Sequence, residues 1–333
     1  MRHGRSARFV TGAMALVLTL AACSGGGGGS GASSSAGGGS NVGAGKTVNI
    51  AINPWVGYEA DAAVVGWVLE NQLGYKVAYK NLKEEIAWQG FASGDVDVVL
   101  ENWGHPELVT KYIDTEKTAV DAGQTGNKGI IGWYVPPWLA TEHPDVLDWN
   151  NLNKYADQFK TTESGDKGQF LAGDPSFVTN DEALVTNLGL NFKVVYSGSE
   201  ASLIEAFRTA EQQKKWMIGY FYEPQWFLLE VPLKKVTLPP YTAGCDADAK
   251  KVNCDYPPYD LNKIAAKKFI DDGSPASQVI KNFSWTNEDQ NKVADLLTNK
   301  YVSEPDQAKR YAKAAEEWAK ANEATWKKWL PAS

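Results

Sequence analysis

Tryptophan residues stand just beyond two short apolar runs of this 333-residue sequence, at points where a strand normally turns. TVNIAI (47–52) leads to Trp55, and DVDVVL leads to Glu101, Asn102 and Trp103. A ring that has left the pleated strand can present its face to a ligand. Flat rings stack on sugars, and several faces together attract a quaternary ammonium group at about 0.5–2 kcal/mol for each ring. These residues therefore predict a binding site for one of these two ligand classes.

The other aromatic residues are of two kinds, some at strand ends and some in helical patterns. KGIIG leads to Trp133 and Tyr134, and KWMIG leads to a run that contains Tyr222. We expect the tryptophans in helical patterns to be core residues: Trp67, Trp88, Trp318, Trp326 and Trp329. Ligands of open α/β sheets bind beyond the carboxyl ends of the strands, so the strand-end rings are the candidates for the site.

The periodicity of the chain predicts an α/β fold. Short β-branched runs such as TVNIAI and YKVAYKN alternate with helical stretches, one over residues 60–73 that stops at Gly74 and one that ends at Gly94. Strand, helix, strand is the unit of a parallel sheet. The alternation begins again after KGIIGWYVPP, so the sequence predicts two lobes.

We expect lobe 1 to comprise residues 46–131 and 236–333, and lobe 2 to comprise residues 132–235. Two strands near residues 130 and 235 then cross between the lobes as hinges. The chain closes with predicted helical stretches, of which the one that begins at EPDQ (304–307) is the longest.

The N-terminal residues predict an exported lipoprotein. Residues 1–22 combine three arginines with an apolar run and form a signal peptide. The run ends in LAAC, which resembles a lipobox and predicts lipidation of Cys23, although an unrelated cysteine is the simpler alternative. Residues 23–45 read as a Gly/Ser tether. The predicted location is the extracytoplasmic face of the cell membrane, with the lipid as the only membrane contact.

Net charge and cysteine content limit which partners and bound groups the protein can have. The formal net charge is −7, and removal of the signal peptide's three arginines makes it about −10, which argues against a nucleic-acid partner. In an exported protein, the remaining Cys245 and Cys254 are expected to form a disulfide. A metal site would need more soft ligands than two cysteines, so we expect neither a metal nor a cofactor.

Two other functions compete with a quaternary-amine site. A sugar-binding surface lipoprotein or sugar-importer receptor would use the same rings as stacking platforms. A glycosidase would recruit carboxylates such as Asp174, Glu101 or Glu223. We expect no enzyme, because the chain has only three histidines and no nucleophile elbow, zinc motif or phosphate loop.

Several stretches together resemble one protein family. NPWVGYEADAAVVGWVLENQLGYKV followed by GFASGDVDVVLENW is similar to substrate-binding proteins of glycine betaine/choline/proline-betaine ABC importers. AGDPSFVTNDEAL, GYFYEPQWF and NFSWTNEDQNKVADLL continue the resemblance, which covers roughly residues 47–330. It implies a type II, flytrap periplasmic-binding-protein fold and a monomer. The protein would hold a quaternary amine between its lobes and deliver it to a membrane permease with its ATPase.

The resemblance also implies site residues. Trp55 and Trp103 correspond to cage tryptophans of the first lobe. Tyr222 falls where many relatives have a tryptophan, and Phe177 where some have another aromatic residue. These smaller rings depart from the family pattern and imply a looser cage or a different cargo.

A carboxylate clamp is implied for the backbone N–H groups of Ala172, Gly173 and Asp174. The following residues support an anion site, because Thr179 and Glu182 have the spacing of a capping box at a helix start. Asp174 either turns outward or favours a hydroxyl over a carboxylate, which would tilt the site towards choline.

Two polar residues near Trp103 have open roles. His105 either contacts the ligand or is a surface histidine in the turn before Pro106. Glu101 either adds negative charge beside the cation or has a structural or solvent-facing role, which strand alternation favours.

Overall fold

Some strands of the fold, such as Thr47–Ile52 and Val98–Asn102, are short apolar runs, and others are not. The computed structural model describes residues 41–177 and 179–332. The signal peptide, Cys23 and most of the tether lie outside these residues. The described strands are β1 (Thr47–Ile52), β2 (Lys76–Asn81), β3 (Val98–Asn102), β4 (Ala119–Val135), β5 (Gly168–Ala172), β6 (Phe192–Tyr196), β7 (Gly219–Glu223), β8 (Lys234–Lys235) and β9 (Tyr259–Ala266).

Helices connect and cover the strands. The α-helices of the described residues are α1 (Val56–Leu73), α2 (Glu84–Ser93), α3 (Pro106–Leu108), α4 (Pro137–Glu142), α5 (Asp181–Asn187), α6 (Glu200–Gln213), α7 (Phe227–Glu230), α8 (Lys267–Asp271), α9 (Pro275–Asn282), α10 (Asn287–Asp295), α11 (Gln307–Ala321) and α12 (Glu323–Trp326). Wider π-helical turns follow α3 and α10, and 3₁₀ turns span Pro144–Leu147, Trp149–Tyr155 and Lys327–Trp329. None of the helices in the described part of the chain has the length and apolar character needed to cross a bilayer.

The strands pair in the order β2-β1-β3-β9-β4-β7-β5-β6, with β8 beside β4. The first strand group consists of β1, β2, β3, β9 and residues 119–129 of β4, which pair with β9. The second strand group consists of β5 to β8 and residues 130–135 of β4, which pair with β7 and β8. β1 and β3 are parallel, and so are β5 and β7. Each group therefore directs its strand ends, and the loops beyond them, to one edge.

β4 links the two groups and is much longer than the sequence predicted. Only its last residues, KGIIGWYV, have an apolar pattern, yet the strand begins at Ala119. The pairing with β9 shifts register twice, and Gly123 and Gly126 in this part have positive φ angles of 96° and 90°. These irregularities hide the strand from a pattern search. Near residue 235 the two-residue strand β8 pairs with Tyr134 and Val135, within the second strand group.

α1 forms much of the core beside the first strand group. It begins at Val56, four residues before the predicted start, and ends at Gly74, whose φ of 74° closes the helix in the left-handed region. Its buried residues lie on all sides, because it packs against β2 on one face and α9, α10 and α11 on others. Trp55, the residue before its first turn, is thereby fixed at the edge where β1 ends.

The C-terminal stretch differs from the prediction of one long helix. α11 ends at Ala321, with Asn322 as its C-cap, and α1, at 18 residues, is the longest α-helix of the described residues. The predicted packing role of the helical tryptophans is confirmed. Trp88, Trp318, Trp326 and Trp329 are buried, and Trp67 packs against Trp326 with ring centroids 5.5 Å apart.

Candidate ligand-binding site

An aromatic cavity of about 910 Å³ lies where loops of both strand groups meet. Seven aromatic residues line it: Trp55, Trp103, Phe177, Tyr220, Tyr222, Tyr256 and Tyr259. Four of them are residues that the sequence predicted for the site, and His105, a fifth predicted residue, also lines the cavity. The predicted strand-end rings Trp55, Trp103 and Tyr222 therefore do come together, whereas Trp133 and Tyr134 lie within β4 and are not among the described lining residues.

The rings form an almost continuous chain of edge and tilted contacts. Centroid distances along it are 5.7 Å for Trp55–Phe177, 6.1 Å for Phe177–Tyr220, 6.0 Å for Tyr220–Tyr222, 5.6 Å for Trp103–Tyr222 and 5.5 Å for Trp103–Tyr259. Trp55 and Trp103 belong to the first strand group, whereas Phe177, Tyr220 and Tyr222 belong to the second. Two of the contacts therefore join the groups directly.

Trp103 is positioned by the backbone of β4. A Cβ atom at Gly129 would lie 2.6 Å from Cζ3 of the indole, so the ring rests where only glycine leaves room. Trp103 sits one residue beyond the end of β3, and its plane is set by this glycine on one side and by Tyr222 and Tyr259 on others.

Glu101 joins the two tryptophans from behind. Trp55 and Trp103 both donate their indole N–H to Glu101 Oε1, at 2.8 and 2.7 Å, and Gln290 donates to Oε2. Glu101 is 2% exposed, so the predicted solvent-facing role is wrong. Strand alternation misleads here because every residue of β3 is buried, on both faces. Gly57 leaves room for the Gln290 side chain to reach Glu101, since a Cβ at position 57 would lie 2.6 Å from Gln290 Nε2.

His105 lies inside the cavity wall and is not a surface histidine. Its Nε2 is 3.2 Å from Glu84 Oε2, and its Nδ1 is 3.7 Å from Glu107 Oε1. Burial lowers the pKa of His105, but the Glu107 and Glu84 carboxylates outweigh that effect and raise it to about 9. The ring is therefore an imidazolium at neutral pH, held in a left-handed conformation with φ of 37°.

The charges that line the cavity are mostly negative. Glu84, Glu107 and Asp246 contribute carboxylates, and His105 contributes one positive charge. Among the described residues, no lysine or arginine lines this cavity. Since opposite charges attract across a partly desolvated site, such a lining favours a cation.

The disulfide predicted between Cys245 and Cys254 is confirmed, and its loop is part of the site. Asp246, Ala247 and Ala249 from this loop line the cavity, which the sequence did not predict. Asn187 anchors the loop by donating its amide to the carbonyls of Lys250 and Val252. The sequence signal for this wall was the cluster of aromatic residues and prolines in CDYPPY, which supplies Tyr256 and Tyr259.

The predicted carboxylate clamp does not line the cavity. Ala172, Gly173 and Asp174 are absent from the described lining residues. Asp174 turns back on its own loop, where its Oδ1 accepts hydrogen bonds from Ser176 N–H at 2.7 Å and Ser176 Oγ at 2.6 Å. A Cβ at Gly173 would lie 2.9 Å from Phe177, so the backbone at Gly173 packs directly against the Phe177 ring. Val178, which follows, lies outside the described residues.

The predicted capping box at the next helix is wrong. α5 begins at Asp181, with Asn180 at the cap position and no side-chain cap bond. Glu182 accepts a hydrogen bond from Tyr196 Oη at 3.0 Å and does not turn back to the helix start. Asp181 is buried and accepts from Trp133 Nε1 and Tyr256 Oη, both at 2.8 Å. The packing of these aromatic neighbours thus sets the helix start.

Glu200, at the first position of α6, connects the cavity wall to α1. Its carboxylate accepts the hydroxyl of Tyr222, the amide of Gln225 at 2.7 Å and the backbone N–H of Val56 at 2.8 Å. Burial raises the pKa of Glu200 to about 7, despite these hydrogen bonds. One side chain thereby links a ring of the second strand group to the helix that follows Trp55.

Two strand groups joined by a long antiparallel strand, with a ligand-sized cavity beyond their parallel strands, define a two-lobed solute-binding protein of type II. Residues 46–321 match the family model described as the substrate-binding domain of the ABC-type glycine betaine transport system. The chain belongs to this family. It is a substrate-binding protein of an ABC transport system for quaternary amines.

Solved structures agree with this fold. An ABC-transporter choline-binding protein in complex with choline has a TM-score of 0.66 at 18% identity, over 85% of this chain and 91% of that one. A glycine betaine/L-proline-binding protein from Borrelia burgdorferi has a TM-score of 0.67 at 20% identity, over 86% and 97% of the two chains. Lactococcal OpuAC in its closed, glycine betaine-bound form has a TM-score of 0.66 at 20% identity, over 86% and 100%.

Proposed function

We propose that this protein captures a quaternary ammonium compound, such as choline or glycine betaine, in the aromatic cavity and delivers it to an ABC importer. The observation that carries the proposal is the chain of rings around a cavity whose described lining has three carboxylates and no lysine or arginine. A methylated ammonium offers no N–H to a carboxylate or carbonyl, so ring faces and nearby negative charge are what can hold it.

The ligand contacts in this proposal are the rings of Trp55, Trp103, Tyr222 and Phe177, with Tyr220 and Tyr259 added from their position in the cavity. His105 is the cationic group that faces the polar end of the ligand. A carboxylate there would pair with the imidazolium, and a hydroxyl would accept a hydrogen bond from it. Ala172, Gly173 and Asp174 act through the Phe177 turn that they support.

Closure of two lobes completes the site in this mechanism. The lobes are residues 46–131 with 236–333, and residues 132–235, which turn about β4 and the crossing near residue 235. Ligand binds first to Trp55 and Trp103. The rings of the second lobe then close on it, because their contacts with the ligand exist only in the closed form.

The proposal also covers the cellular location of the protein and its partners. Cys23 carries the lipid after cleavage of residues 1–22, and the Gly/Ser tether holds the body near the membrane as a monomer. The permease and its ATPase take over the ligand, and no bond of the ligand is made or broken.

Titration calorimetry of the purified protein tests the proposal. Choline, glycine betaine and carnitine are compared with a panel of neutral sugars of similar size. We expect heat of binding from at least one quaternary amine and none from the sugars. Binding of sugars alone would show that the rings are stacking platforms and would overturn the proposal.

A further inference from the structure

One buried carboxylate stands behind both tryptophans of the cavity. Glu101 does not line the cavity itself, but its Oε1 accepts the indole N–H of Trp55 and of Trp103, which reach it from two different loops. Its other oxygen accepts from Gln290 on α10. The two rings therefore share one anchor, and neither can rotate without breaking a buried hydrogen bond.

The neighbourhood of Glu101 favours a negative charge on this residue. Burial raises the pKa of Glu101 above its ordinary value, and hydrogen bonds from Asp61, Trp103, Trp55 and Gln290 reduce that rise without reversing it. The pKa of the neighbouring Asp61 lies well above its ordinary value because Asp61 is buried and because Glu101 adds like charge. Three N–H groups, from Trp55, Trp103 and Gln290, donate to the Glu101 carboxylate, and such donors stabilise its charged form.

We propose that Glu101 sets the charge selectivity of the aromatic cavity, by orienting both indoles and by supplying a buried negative charge behind them. The inference rests on the proposed quaternary-amine function. It assigns the preference for a cation to a residue outside the set of rings. An anion at the N–H edge pushes electron density towards the ring face, and its own field also attracts a cation in front of the ring. A neutral ligand of the same shape gains neither effect.

The sharpest test compares choline with its neutral carbon analogue, in which a tert-butyl group replaces the trimethylammonium group. The two ligands have nearly the same shape, so their difference in affinity reports charge alone. The unaltered protein should bind choline more tightly. In Glu101→Gln, which keeps the volume and one acceptor, choline affinity should fall about tenfold or more, while affinity for the analogue changes little.

Asp61→Asn is the matched control, because it removes the neighbouring carboxyl and leaves the Glu101 charge and its indole bonds in place. This variant should keep the preference for choline. A parallel loss of both ligands in Glu101→Gln would show that Glu101 only holds the rings, and unchanged choline binding would show no role. Either result would overturn the inference.

Measurements on the unaltered protein keep the inference testable if Glu101→Gln fails to fold. The indole N–H signals of Trp55 and Trp103 should lie at low field in the NMR spectrum and exchange slowly, as expected of donors to a carboxylate. Indole N–H chemical shifts like those of free indole would contradict the inference. Equal affinity for choline and its carbon analogue would contradict it as well. If no quaternary amine binds at all, the proposed function fails, whereas the NMR result still reports on the Glu101 anchor.

Discussion

Trp103 is held on several sides by groups from four different parts of the sequence. Glu101 holds its N–H edge, the Gly129 backbone lies under one part of the ring, and Tyr222 and Tyr259 pack against the rest. A ring that is oriented before the ligand arrives loses little conformational freedom on binding, which increases affinity. Trp103 should therefore contribute strongly to binding and little to folding.

At this residue scale, Trp103→Ala should lower the affinity for the preferred quaternary amine at least about tenfold, because it removes a ring face and one of the two indole donors of Glu101. Titration calorimetry measures the loss. Trp149→Ala is the matched control, since Trp149 is a partly buried tryptophan away from the cavity lining. Equal affinities of the two variants would show that Trp103 is not a ligand contact.

At the scale of elements, Glu200 joins the starts of two helices. It is the first residue of α6, and its carboxylate accepts the N–H of Val56, the first residue of α1, where the helix dipole favours a negative charge. The same carboxylate accepts the Tyr222 hydroxyl. Under the proposed closure, this contact joins the two lobes in the closed form and connects them to a cavity ring.

Glu200→Ala should therefore weaken ligand binding about tenfold and reduce the compaction that ligand causes, because the closed form loses charged hydrogen bonds. Calorimetry gives the affinity, and small-angle X-ray scattering gives the radius of gyration with and without ligand. Glu205→Ala, an exposed position of the same helix, is the control. If the Glu200 and Glu205 variants compact equally, Glu200 is not a closing contact.

The disulfide loop is a second element whose role can be measured. Replacing Cys245 and Cys254 by serine should cost about 2–3 kcal/mol of unfolding free energy and weaken ligand binding, because the loop carries Asp246 and two alanines of the cavity wall. Chemical denaturation and calorimetry provide both values. Reduction of the unaltered protein should reproduce the effect. A large loss of stability with unchanged affinity would show that the loop does not shape the site.

At the scale of the whole molecule, buried groups make stability depend on pH. Three of them lower the stability as the pH rises, whereas Lys263, whose pKa burial lowers to about 8, acts in the opposite direction above that pH. Burial raises the pKa of Asp181 to about 6 and of Glu200 to about 7, while carboxylates raise that of His105 to about 9 against the effect of burial. Each pKa is above its ordinary value, so each group stabilises the fold fully below that ordinary value. Their contribution is lost as the pH rises through about 6 to 9.

The protein should therefore unfold at a higher temperature near about pH 6 than near about pH 9. Thermal unfolding followed by circular dichroism measures the profile. Glu200→Gln should flatten its neutral part and His105→Gln its alkaline part, since each variant removes one titrating group. A profile that rises towards alkaline pH would mean that these groups are not buried as described.

Local pattern was sufficient to predict much of this protein. β1, β2 and β3, the ends of α1 and α2 at Gly74 and Gly94, and the Cys245–Cys254 pair follow from residues within one or two turns of each other. Trp55 and Trp103 could be found because they directly follow strands, and parallel strands bring such ends to one edge. These features depend on neighbours in the chain, which a sequence displays.

Other features depended on the tertiary packing alone. β9 carries Asn262 and a fully buried Lys263, so its pattern does not read as a strand, yet it lies between β3 and β4 and brings Tyr259 to the cavity. Lys263 is tolerated because it donates to the carbonyls of residues such as Gln124 and Phe283. Glu101 likewise reads as an outward strand residue until Trp55 and Gln290, 46 and 189 positions away, supply its donors. The sequence by itself determined the strands, helices and rings whose signals lie along the chain. The folded structure decided β9, most of β4 and which polar groups lie behind the rings, because strand neighbours and buried hydrogen-bond partners are chosen across the core and not along the chain.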